Sequence, residues 1–117
     1  MENDSAFLPA GNCTAITGAA SPPTPIQIGG PNATGPSTSL MSLDVWNSDS
    51  TNDGFLAWGP SSAAATANAV VPTGTGRQVL PLPHGMRKTF TLPAGQWFTV
   101  VSAAGTPICY LTPGYGI

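Results

Sequence analysis

The side chains able to do chemistry are few and scattered along the chain. His84 is the single histidine and sits in Pro83-His84-Gly85, a turn sequence. Zinc sites draw on several His or Cys ligands at compatible spacing. The two cysteines, Cys13 and Cys109, lie far from His84 in sequence, so His84 reads as an exposed turn residue. A Ser-His-Asp arrangement would need this one imidazole as its base, and the chain has no Gly-x-Ser-x-Gly elbow. Paired carboxylates for glycoside chemistry would have to come from Asp44, Asp49 and Asp53, which lie on or beside one loop with no apolar surround evident in the sequence. Asp49-Ser50-Thr51-Asn52-Asp53-Gly54 resembles the opening of a calcium loop, but Pro60 stands where the bidentate glutamate belongs. The expectation is of no catalytic residue, no metal ligand and no cofactor, and of a chain that is not an enzyme.

The aromatic residues offer a different chemistry. Most of them fall in strand-like runs, where the plain reading is a packed core. Rings left on an outer β face can instead hold the apolar face of a sugar or of a partner protein. Trp46, Trp58 and Tyr115 are the candidates for such an interface or glycan site, with Trp46 and Trp58 expected on paired strands.

Charge narrows the classes further. Three basic and five acidic residues make 7% of the chain charged, against about 25% in an ordinary soluble domain. Three basic residues cannot supply the phosphate contacts of a nucleic-acid binder. A chain that is 41% hydrophobic is equally unlike a charged disordered tail. No apolar run reaches the roughly 18 residues of a membrane span, and the opening MENDSAFLPAG lacks the basic and apolar segments of a secretory signal. A chain kept in a reducing compartment would hold Cys13 and Cys109 as free thiols, although the two could also bridge. The expected partners therefore include neither nucleic acid nor membrane.

Proline and glycine, 13 and 14 residues, divide the sequence. Residues 1–38 hold six of the prolines' clearest interruptions, among them Pro22, Pro23 and Pro25, and read as an extended arm with one or two short pairing segments. Thr24 to Ile28 alternates as an edge strand would. Ile16, Pro22, Pro23, Ile26 and Ile28 are the arm's expected interface residues, because an arm this rich in proline orders best against a neighbouring subunit.

Residues 39–117 read as one β domain. Ser39–Asn47 places Met41, Leu43 and Val45 on one face, with Leu40 and Trp46 on the other. Asp53-Gly54 marks a turn, so Phe55–Trp58 is expected to return as the second strand of a hairpin. Ala-rich 61–69 allows one helical turn or a packed loop, with Ser61 or Ser62 as cap. Strands follow at 78–82, 86–92, 96–103 and 106–112, separated by Pro-His-Gly, Pro-Ala-Gly and Ala-Gly turns. The spacing predicts an all-β fold: an antiparallel, jelly-roll-like sandwich or a small barrel of six to eight short strands.

From Asp53 onward the runs FLAWGP, AAATANAV and LPAGQWFTVVSAAGTPICYLTPGYG resemble the small virion-associated proteins of tailed bacteriophages, of the head decoration or cement type. The resemblance spans residues 53–117 and rests on turn-and-strand patterns. It implies a non-enzymatic structural protein that binds the major capsid protein or other virion proteins, forms a homo-oligomer, and resides in the virion after synthesis in the host cytoplasm. The alternative is a carbohydrate- or receptor-binding β domain of a head or tail fibre.

Overall fold

A computed structural model describes residues 8–9, 11–28, 40–72 and 78–115. Among the described residues nine strands form two antiparallel sheets. They are β1 (Leu8–Pro9), β2 (Thr14–Thr17), β3 (Ile26–Ile28), β4 (Leu40–Asn47), β5 (Gly54–Gly59), β6 (Val79–Leu82), β7 (Arg87–Pro93), β8 (Gln96–Val101) and β9 (Ile108–Tyr115), with one helix, α1 (Ser62–Asn68), between β5 and β6. The first sheet runs β1-β9-β4-β7, with β2 also paired to β9, and the second runs β3-β8-β5-β6.

The pairings have a simple logic. β2 pairs with β9, β3 with β8, β4 with β7 and β5 with β6. These four pairs nest about the α1 connection like one long folded ribbon. The ribbon is then rolled so that β4 also meets β9 and β5 meets β8. Apart from the two-residue β1, which shares the β9 edge with β2, the orders β2-β9-β4-β7 and β3-β8-β5-β6 are those of a jelly roll, as the turn spacing led us to expect.

Rolling also overturns two expectations. The first is the hairpin between Ser39–Asn47 and Phe55–Trp58: β4 and β5 lie in different sheets. Both edges of β4 are occupied, by β7 and β9, so the 48–53 loop crosses the end of the sandwich. Gly54 is a strand residue here, and positive φ occurs at Gly85, Gly95 and Gly105, one in each of the three turns signalled by the sequence. The second correction concerns the arm. Ile16 and Ile28 are 2% and 4% exposed and belong to the main core with Met41, Leu43, Val45, Leu56, Leu82, Phe98, Val100 and Leu111. The prolines in 22–25 fall in the connection between β2 and β3 and leave both strands free to pair. The 14–28 stretch is therefore part of the sandwich. The remainder of 1–38, apart from 8–9 and 11–13, lies outside the described residues.

The outer faces of the two sheets differ. α1 has two turns rather than the expected one, with Ser61 as N-cap: its hydroxyl accepts from Ala64 N–H at 3.1 Å. The helix lies close on β5 because Gly59 has no side chain; a Cβ there would stand 2.8 Å from the Ala65 nitrogen. Ala57, Ala69 and Val101 are buried in a second small core beneath this region, flanked by Phe55, Val71 and Val79. The β3-β8-β5-β6 sheet is thus padded on its outer side, whereas the outer side of the β9-β4-β7 sheet presents Ile108, Tyr110 and Trp46 at 38%, 36% and 42% exposure.

Candidate functional site

The alternation of β4 that sends Leu43, Val45 and Asn47 inward sends Asp44 and Trp46 outward. Register then lines up their neighbours. Trp46 stands opposite Tyr110 of β9 on one side and Arg87 of β7 on the other; Asp44 stands between Thr112 and Thr89. The Trp46 and Tyr110 rings stack with centroids 5.7 Å apart and planes inclined by 25°. Arg87 Nε donates to Asp44 Oδ2 at 3.0 Å, its second terminal nitrogen lies 2.8 Å from the same oxygen, and Thr89 Oγ1 donates to Asp44 Oδ1 at 3.3 Å. Asp44 is largely buried and Arg87 exposed. The carboxylate raises the Arg87 pKa, first by hydrogen bonding and then by its charge. Asp44, Trp46, Arg87 and Tyr110, with Cys13 and Thr112, line a hollow of about 280 Å³ on the open sheet face.

A second polar contact lies at the end of the sandwich. Asp53 accepts from the His84 backbone N–H at 2.9 Å and lies 2.7 Å from His84 Nδ1. Both side chains are more than half exposed. The His84 backbone N–H, then its side chain, holds the Asp53 pKa below the ordinary carboxylate value. Asp49 works for its own loop: Oδ1 accepts from Thr51 N–H at 2.8 Å and Asn52 N–H at 2.9 Å, which lowers its pKa to about 2. Its best acceptor positions thus point at backbone amides of the loop that resembled a calcium site. Among the described residues no group of three or more His, Cys, Asp or Glu side chains comes together, and no helix is long and apolar enough to cross a membrane.

The residues singled out from sequence are dispersed. Trp46 is on the open face. Trp58 is half-buried on the other sheet and packs against the main core, so these two do not form one platform, contrary to expectation; the jelly-roll crossing after β4 separates them. The Tyr115 backbone closes β9 opposite Leu8, and its side chain lies outside the described residues. Ile16 and Ile28 are buried in the core rather than displayed on an arm. Ile26 remains 42% exposed on β3. Pro22 is half-buried, and exposed Pro23 accepts from buried Thr99 Oγ1 at 2.8 Å through its carbonyl. Asp44, Arg87, Tyr110 and Cys13 escaped the sequence reading as a group. The period-two pattern of β4 already put Asp44 beside Trp46, but the strands that flank β4 could not be named without the register.

Cys13 and Cys109 are both free thiols, the first exposed and the second fully buried. Burial, aided by the Asp49 charge, pushes the Cys109 pKa up to about 11.

No family model matches the chain. No curated protein sequence matches it. Among solved structures, a chain from Bacillus endospore appendages, which form a family of disulfide-linked pili, is similar at 18% identity with a TM-score of 0.48, over 96% of this chain and 89% of that one. A likeness of this size says nothing about function.

Proposed function

We propose that the protein is a non-enzymatic structural subunit that packs edge to edge against neighbouring proteins in an ordered assembly. The observation that carries this reading is the chemistry of the sheet edges. Soluble β proteins usually guard an exposed edge with charge, proline or a bulge, because its unpaired N–H and C=O groups recruit further strands. Here the β1/β2 edge, β3 and β6 carry no charged residue at all; β7, with Arg87 and Lys88, is the one charged edge. Among the described residues β3 pairs with β8 alone and β6 with β5 alone. Pro81 partly guards β6, which leaves β2 and β3 as the edges best suited to strand addition.

The contact surface is accordingly placed on the edges of the folded sandwich, with Ile16 and Ile28 acting from inside it. The resemblance of residues 53–117 to phage decoration proteins favours a virion as the setting and the major capsid protein as the neighbour.

The test is co-sedimentation with empty capsid shells, alongside light scattering of the pure protein over a range of concentrations. A lysine placed on an uncharged edge, Thr17→Lys on β2 or Gln27→Lys on β3, should reduce shell occupancy or self-association at least tenfold. Thr91→Lys on the already charged β7 should change neither. Association that is unaffected by both edge lysines, or a wild-type protein that is monomeric and does not bind shells, would overturn the reading.

A further inference from the structure

We propose that the hollow on the open face of the β9-β4-β7 sheet is a binding site for a single neutral pyranose unit. The site lies on a sheet face, apart from the uncharged β2 and β3 edges, and does not depend on their role.

The walls select the ligand by chemistry. One wall is the stacked Trp46–Tyr110 ring pair, more than one-third exposed at both residues. Such a surface favours a ligand with a flat apolar face. The other wall is the Asp44–Arg87 pair. Its charges cancel, so the hollow attracts neither an anion nor a cation by net charge. It does present exposed Arg87 as a charged donor, and hydrogen bonds to charged groups are about twice as strong as neutral ones. Vicinal hydroxyls both donate and accept, and a pyranose carries them around a ring whose axial C–H bonds make an apolar face. Thr112, opposite Asp44 in register, adds a further hydroxyl to the lining.

Size points the same way. A volume of about 280 Å³ falls just below the roughly 300–1,000 Å³ of pockets that hold drug-sized molecules. It suits one ring and excludes a multi-ring ligand from full burial. The frame is also rigid where it matters. Trp46 and Asp44 sit on the central strand β4, paired on both sides, and Arg87 is fixed through two contacts to one carboxylate oxygen. A pre-positioned site lowers the ordering cost of binding. For a ligand of about a dozen non-hydrogen atoms, the dissociation constant should be on the order of 1 mM.

The experiment is ligand-observed saturation-transfer NMR on the full chain. The probes are the methyl glycosides of glucose, galactose, mannose and N-acetylglucosamine, with glucuronic acid and glucosamine as charged comparators. At least one neutral glycoside should bind, and the charged comparators should bind more weakly than their neutral parents. Trp46→Ala should weaken binding at least tenfold, while Trp58→Phe on the opposite sheet should leave it unchanged. Alkylating exposed Cys13, at the margin of the hollow, should also block binding without touching the sheet. A two-dimensional amide spectrum of Trp46→Ala with wild-type dispersion establishes that its fold is intact; the Cys13 adduct provides the same test with no substitution. Failure of every neutral glycoside to bind at tens of millimolar, binding that survives both modifications, or a preference for a charged comparator would overturn the proposal. None of these outcomes bears on the edge-lysine experiment, which reads association between proteins.

Discussion

Asn47 on β4 and Leu82 on β6 are joined across the sandwich: Asn47 Nδ2 donates to the Leu82 carbonyl at 2.8 Å. The two strands belong to different sheets, and no β ladder connects them. Asn47 is the fourth inward position of β4 after Met41, Leu43 and Val45, and it is fully buried. The same amide nitrogen donates to the Asn52 carbonyl at 3.2 Å, and Oδ1 accepts from Asp49 N–H at 3.0 Å. One polar side chain therefore ties the end of β4 to the crossing loop and to the opposite sheet.

Replacing Asn47 by alanine removes three hydrogen bonds and strands buried groups that made them. Unsatisfied buried groups cost about 1–3 kcal/mol each, and relaxation at the sandwich end will let water reach some of them. Asn47→Ala should lower stability by about 2–4 kcal/mol, read as a shift in the urea midpoint with an unchanged slope. Asn47→Asp should be at least as harmful, since a carboxylate cannot donate to the Leu82 carbonyl.

Ile16 and Ile28 separate a packed sandwich from a free arm. Ile16→Ala and Ile28→Ala should each cost about 2–5 kcal/mol, the range for large-to-small changes in a core. Ile26→Ala, at an exposed position three residues from the Pro22-Pro23 pair, should cost about 1 kcal/mol or less. Equal and negligible effects at all three, measured by denaturant unfolding, would return residues 14–28 to the role of an arm.

The thiols should differ in reactivity. Cys13 is exposed, and Cys109 is buried with its pKa raised to about 11 by burial and by Asp49. The thiolate is the reactive form, so at pH 8 a disulfide reagent should titrate one thiol in the native protein and two after unfolding in denaturant. Cys13→Ser should abolish the native reaction; a rapid reaction that persists in that variant would contradict the placement of Cys109.

Acid should loosen the 48–53 loop late. Asp49 has its pKa lowered from 3.8 to about 2, chiefly by the Thr51 and Asn52 backbone N–H groups. A depressed folded-state pKa contributes stability that is fully present above the unfolded value and is lost as pH falls through the folded one. The contribution of Asp49 should hold down to about pH 4 and disappear toward pH 2. Asp53, lowered by His84, shifts in the same direction. A carboxyl-carbon NMR titration of Asp49 should show a midpoint near 2; a midpoint near 4 would show that the loop bonds are absent in solution. Asp49→Asn keeps an acceptor for the amides and should remove the titration while leaving the neutral-pH loop in place.

Much of the local structure was legible from residue types. The alternation in β4 placed Met41, Leu43 and Val45 inward because a pleated strand has a side-chain period of two. Pro83-His84-Gly85, Pro93-Ala94-Gly95 and Ala104-Gly105 announced turns because glycine reaches positive φ without strain, and all three glycines do so. The Ser61 cap was also readable, although the length of α1 was not: its second turn depends on close approach to Gly59, a contact between elements.

Residue types and their order dictate a β-rich chain with scarce charge, strands separated by tight turns, and Trp46 on the face of β4 opposite its core residues. These properties follow from local sterics and from the transfer of single side chains out of water. The tertiary structure alone decided which turns change sheet, that Ile16 and Ile28 complete the core, that Trp46 and Trp58 part company, and that Asp44, Trp46, Arg87 and Tyr110 share one hollow. Strand partners are chosen by the joint burial of faces from distant segments, and β4 can take β7 and β9 only once the whole ribbon has rolled. No window of the sequence contains that constraint, because it belongs to pairings such as Trp46 with Tyr110 that join distant segments of the chain within one sheet.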